Sequence, residues 1–134
     1  MSSPDAAALV VEYLRAQDHL AGVTVASGRP ADPAAQTPLL LVEAIGELPR
    51  SRMPWARSRR MRIGLQAWAG PEAAEALQVL RKALAALYAA RAVALPDGGR
   101  IDRVEPRGEP TEVPDPNLAA NVHRMVATVE VTVR

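Results

Sequence analysis

The stretch from Arg60 to Ala92 limits what this chain can fold into more than any other. Met61, Ile63, Leu65, Ala67 and Ala69 are apolar and alternate with mostly polar neighbours up to Gly70-Pro71. A period of two puts one set of side chains on a buried face, the pattern of a strand. Beyond Pro71 the period changes. Ala73, Leu77, Leu80, Leu84, Leu87 and Tyr88 recur every three or four residues and gather on one stripe of a helix. Gly70 suits the N-cap and Pro71 the first helical position, where a missing N–H costs nothing. Glu72 and Glu75 then complement the positive end of the helix dipole. A strand feeding an amphipathic helix needs sheet neighbours beside it and one sheet face beneath the helix.

The rest of the chain supplies both. Ser3-Pro4-Asp5 opens a first helix with a hydroxyl N-cap, a proline in the first turn and a carboxylate near the dipole. Ala6, Leu9, Val10, Tyr13 and Leu14 share a face of that helix, and Gly22 stops it. Val23-Thr24-Val25-Ala26 reads as a short strand near an edge, and turn formers fill 27–33. Leu39–Ile45 is an unbroken apolar run between Pro38 and Gly46, the signature of a strand covered on both faces. Past the second helix come the turn Leu95–Gly99, a short strand at 100–105 and a proline-rich passage at 106–116. In the closing strand Val129, Val131 and Val133 alternate with Thr128, Glu130 and Thr132, which predicts one buried and one wet face. A strand of that kind pairs within the sheet. The order predicts a single α+β domain over 1–134. Its sheet is mostly antiparallel with about four to five strands, two helices pack on one face, and a long arm leaves between the second and third strands.

Composition narrows the function classes. Sixteen basic and fifteen acidic side chains leave a net charge of +1, so no global field draws nucleic acid or anionic membrane. Lys82 is the sole lysine, phenylalanine is absent and alanine is abundant, a bias that reads as a GC-rich coding genome. Without cysteine there is no disulfide, thiolate nucleophile or zinc-thiolate site. The first twenty residues lack the pattern of a signal peptide, and no later run is apolar enough to span a bilayer; a soluble intracellular domain is the expectation.

Chemistry is sparse. His19 falls near the end of the first helix, where an imidazolium faces the dipole, and His123 reads as a surface or turn residue. No H-x-x-x-H pair, nucleophile elbow or phosphate loop occurs, so no metal, cofactor or catalytic residue is expected, and the chain reads as a non-enzyme. The irregular arm at 46–60 stands out instead. From Leu48 to Gly70 there are six arginines and no acid, with Arg50, Arg52, Arg57, Arg59 and Arg60 accompanied by Trp55. Such a loop is a solvated surface whose arginines reflect the genome, contacts a phosphate backbone with Trp55 stacking on a base, or anchors a protein interface. Glu105, Glu109, Glu112 and Asp115 provide an opposite charge in the same chain, which favours a head-to-tail contact between copies.

In layout the chain resembles the tail terminator, or tail completion, proteins of long-tailed siphovirus-type phages with GC-rich actinobacterial hosts. The segments that carry the resemblance are Val10–Leu14, Leu39–Ile45 with the following arm, Ile63–Ala69 running into the second helix, Pro114–Asn117 and Arg124–Arg134. The resemblance implies a structural virion protein assembled in the host cytoplasm. It implies a homo-oligomeric ring, usually a hexamer, that caps the major tail tube protein, ends tube growth and meets the head–tail connector. Genome DNA passes through the lumen of such a ring without sequence-specific binding. The alternatives are another neck or head–tail joining protein and a small nucleic-acid-binding domain that uses the arginine arm.

Overall fold

The computed structural model describes residues 5–28, 30–31, 37–48, 58–96, 98–114 and 122–134. Helix α1 spans Ala6–Arg15. Its N-cap is Asp5, whose carboxylate accepts the N–H of Ala7 at 3.0 Å and of Ala8 at 3.3 Å. A carboxylate therefore caps this end, and Ser3, which the sequence suggests for that role, lies outside the described residues. The helix also stops earlier than expected. A single 3₁₀ turn, Asp18–Leu20, intervenes before Gly22, whose φ of 87° turns the chain into the short strand β1, Thr24–Ala26. His19 thus faces the backbone of the second helix, with Nε2 3.3 Å from the Lys82 carbonyl, and not the dipole of its own.

Strands β2, Leu39–Glu47, and β3, Arg59–Ala69, form the hairpin that carries the arm. Helix α2 runs Ala73–Tyr88, capped at Glu72. Gly70 and Pro71, joined by a cis bond, lie in the turn before it, and because the N-cap is Glu72 neither residue holds the position that the sequence suggests. Then follow β4, Val93–Ala94, β5, Arg100–Pro106, β6, Thr111–Glu112, and β7, His123–Val133. The sheet order is β1-β2-β3-β7-β5-β4, with β6 following β5 along the same side of β7. Among the described strands only β1 and β2 pair in parallel. Seven strands replace the four to five expected, and the additions, β4 and β6, are two residues each, too short to show a period.

Both helices contribute to one core on one face of the sheet. Leu9, Val10 and Leu14 of α1 and Leu80, Leu84 and Leu87 of α2 pack with Leu40, Val42, Ile63, Leu65, Val129, Val131 and Val133. Burying this apolar face drives the fold. The closing strand lies between β3 and β5, at the centre of the sheet. Tyr13 fastens the two helices by donating its hydroxyl to the Ala86 carbonyl at 2.7 Å. Ala86 itself is buried, whereas Ala74 and Ala85 of α2 and Ala89 at its C-cap are exposed.

The opposite, helix-free face holds a second cluster of Leu39, Leu41 and Trp68. The apolar run of β2 is accordingly buried on both faces from Leu39 to Val42, as its sequence requires. Beyond Leu41 β1 no longer pairs with it, a bulge separates Ala44 from Gly46, and Ile45 is 57% exposed. The wet face expected for β7 also fails at one position. Glu130 is only 3% exposed.

Candidate interaction surface

The arm begins later and ends sooner than the sequence suggests. Arg59 pairs with Glu47 across the hairpin at 3.0 Å, and the Leu48 N–H reaches the Arg60 carbonyl at 2.8 Å, so the ladder continues to 48. Arg59 and Arg60 are consequently strand residues. Arg50, Arg52, Trp55 and Arg57 lie outside the described residues, as does Asp115.

Arg60 points to the helix-free face, where its Nη1 donates to Glu130 Oε1 at 3.1 Å. Arg107, from the β5–β6 connection, donates its Nε to the other carboxylate oxygen at 2.7 Å. The Arg107 N–H bonds the Thr128 carbonyl at 3.0 Å, which fixes the guanidinium's starting point beside Glu130. A carboxylate this buried needs both charge neutralisation and filled lone pairs, and two half-exposed guanidinium groups supply them. Arg62 is opposite Glu130 in the β3–β7 register and exposed. Around one buried negative charge there are thus three arginines.

Of the four acids grouped by the sequence, the three described ones do not stay together. Glu105 lies opposite Glu130 in the β5–β7 register and pairs with Arg103 at 2.8 Å. Glu109 is exposed in the β5–β6 connection, and its carbonyl accepts the Thr111 hydroxyl at 3.2 Å. Glu112 sits near the other end of the sheet, 2.9 Å from His123 Nδ1. Nε2 of the same imidazole reaches the Pro71 carbonyl at 3.1 Å. The carboxylate and the carbonyl both accept, so the doubly protonated ring satisfies both. The hydrogen bond to Glu112 is the main cause raising the His123 pKa above its ordinary 6.5; burial opposes it, and the charge of Glu112, the hydrogen bond to the Pro71 carbonyl and the charge of Glu72 add to it. This half-buried histidine joins β6 and β7 to the turn before α2, and no spacing in the sequence announces that role.

Charge is therefore distributed along the strand direction. At the arm end lie Arg59, Arg60, Arg62 and Arg103, with Arg100 and Arg134 sharing Asp102 at 2.9 and 3.0 Å. At the far end, around the start of α2, Glu72, Glu75 and Glu112 are exposed. Among the described residues no group of three or more His, Cys, Asp and Glu side chains gathers to hold a metal ion. Burial raises the Tyr13 and Tyr88 pKa values, which leaves both phenols neutral hydrogen-bonding groups at ordinary pH. No described helix is long and apolar enough to cross a membrane. What the arrangement offers is recognition of charge across an extended surface.

Neither a family model nor a curated protein matches this sequence. A solved structure does. The chain is similar to a chain of the virion of a native gene transfer agent particle, with a TM-score of 0.66 and 18% identity. The superposition covers 97% of this chain and 98% of that one, so the two share a fold from end to end.

Proposed function

We propose that this chain is a structural virion protein, and specifically the tail terminator: a ring subunit that caps the tail tube, stops its growth and presents a surface to the head–tail connector. The observation that carries the reading is the end-to-end fold match with a chain of a gene transfer agent virion. The layout resemblance to tail terminators agrees with it, and so does a surface with charged ends. The chain does its work through contacts with copies of itself, with the tube protein and with the connector, while DNA passes through the lumen. It does so in the virion and catalyses no reaction.

A head-to-tail ring needs two unlike surfaces on each subunit. The arm with Arg50, Arg52, Trp55 and Arg57, continued by Arg59 and Arg60, forms one, and Glu109, Glu112 and Asp115 contribute to the other. Mass measurement by light scattering, alone and with tail tube protein, tests this directly, with electron microscopy of tube lengths. Closed rings and tubes of arrested length are the expected result. Charge reversal of Arg57 and Arg59 together weakens capping and leaves the monomer folded. A strict monomer that ignores tube protein and binds duplex DNA with a steep salt dependence would assign the arginines to nucleic acid instead.

A further inference from the structure

We infer that the helix-free sheet face around Glu130 is where a neighbouring copy of this chain docks its acidic end, with Arg62 and Arg107 meeting Glu72 and Glu75. The inference rests on the ring reading and assigns its lateral contact to particular side chains.

The first support is the cluster itself. Glu130 is buried and neutralised by Arg60 and Arg107, and Arg62 stands next to it in the strand register. No ion pair joins Arg62 to a described residue. Glu130 is already shared by Arg60 and Arg107, so it does not compensate the exposed Arg62 beside them. The carboxylate also holds Arg107 in a fixed geometry, which lowers the entropy lost when that side chain receives an anion.

The second support is the shape of the face. The helices occupy the other side of the sheet, and this side presents β2, β3, β7 and β5 side by side. β3 and β7 have eleven residues each. The open part of this face lies toward the arm end, where Arg60, Arg62 and Ile45 are exposed, whereas Leu39, Leu41 and Trp68 toward the other end are buried. Ile45 is 57% exposed on this side, where Gly64 leaves room for it: a Cβ at Gly64 would lie 3.1 Å from Ile45 Cδ1.

The third support identifies the occupant. Glu72, Glu75 and Glu112 are exposed at the opposite end of the same molecule. A copy displaced along the strand direction brings its acidic end toward this basic one. The contact is heterologous, as a ring requires. Glu105 is excluded from the acidic side by its own position beside Glu130 and its pairing with Arg103.

A charge-swap experiment on the full chain tests the pairing. The variants are Arg62→Glu alone, Arg62→Glu with Arg107→Glu, Glu72→Arg with Glu75→Arg, and the four substitutions combined. Self-association, with and without tail tube protein, is followed by light scattering, and folding by circular dichroism. Each charge-reversed set weakens association about tenfold or more, and the combined variant recovers most of that loss. Arg62→Glu leaves both Glu130 contacts in place, so its effect is read on a folded chain even if Arg107→Glu loosens the fold. Rings that form equally well in every variant, or a combined variant without recovery, overturn this contact and leave the ring reading standing. A wild-type chain that stays single with tube protein overturns both. Loss of duplex DNA binding in the arginine variants, with association unchanged, assigns the face to phosphate and overturns the contact.

Discussion

Glu130 shows how one residue departs from its strand pattern. Alternation with Val129 and Val131 assigns it to the solvent side, and it does project from the face opposite the core. Arg60 and Arg107 nevertheless close over it until 3% remains exposed. Sequence alternation reports which side of a sheet a residue occupies; it does not report what distant residues lay across that side. Glu130→Ala strands two guanidinium groups that are already half in water, so the loss in urea unfolding is about 1–3 kcal/mol. His123 is a second case. Its pKa is raised in the folded chain, chiefly by Glu112, so the protonated form favours folding. The contribution is present in full below the ordinary 6.5 and is lost as pH rises through the folded value. A proton NMR titration is expected to show the His123 pKa above 6.5, and Glu112→Gln to return it toward that figure.

Among the elements, length governs legibility. The eleven-residue strands β3 and β7 and the sixteen-residue helix α2 repeat their periods often enough to be read directly. Two-residue strands have no period, and the sites that cap and space the helices rest on single contacts. Asp5→Ala removes both cap hydrogen bonds of α1 and costs about 1 kcal/mol by chemical denaturation. Gly99 sets how closely α1 approaches the turn before β5. A Cβ there would sit 2.4 Å from Leu9 Cδ2, so Gly99→Ala shifts Leu9 and costs about 1–3 kcal/mol in the same assay. The sheet edges are handled with equal economy. Arg15 donates Nε and Nη2 to the Val25 carbonyl at 3.0 and 2.6 Å, which occupies the outer side of β1. On the other edge, Arg107 and Val113 turn their N–H groups to β7, so the neighbouring Pro106 and Pro114 fall where a missing N–H costs nothing.

For the whole molecule, the separation of charge along the strands matters more than the net charge of +1. A near-neutral total conceals a basic end at the arm and an acidic end at the start of α2. Because most of these groups are exposed, their attraction is screened over a Debye length of about 10 Å at 0.1 M salt and about 3 Å at 1 M. If copies assemble through them as proposed, the assembly is expected to weaken steadily as salt is raised, which light scattering from low to high ionic strength measures. An assembly indifferent to salt would place the contact on apolar surface instead. The head-to-tail idea is legible in the sequence as an arginine run and an acidic run. Its geometry is not, because Glu105 joins the basic end and Glu72 and Glu75 join Glu112.

The sequence alone determines that a sheet with one apolar face carries two helices, because alternation and helical periodicity are local properties that each segment states for itself. It also determines that the chain carries no thiol. The tertiary structure alone decides which charges become neighbours. Glu130 meets Arg60 and Arg107, and His123 meets Glu112 and Pro71. These contacts join residues 11 to 70 positions apart, and the sheet order that joins them depends on the burial of the whole apolar face at once.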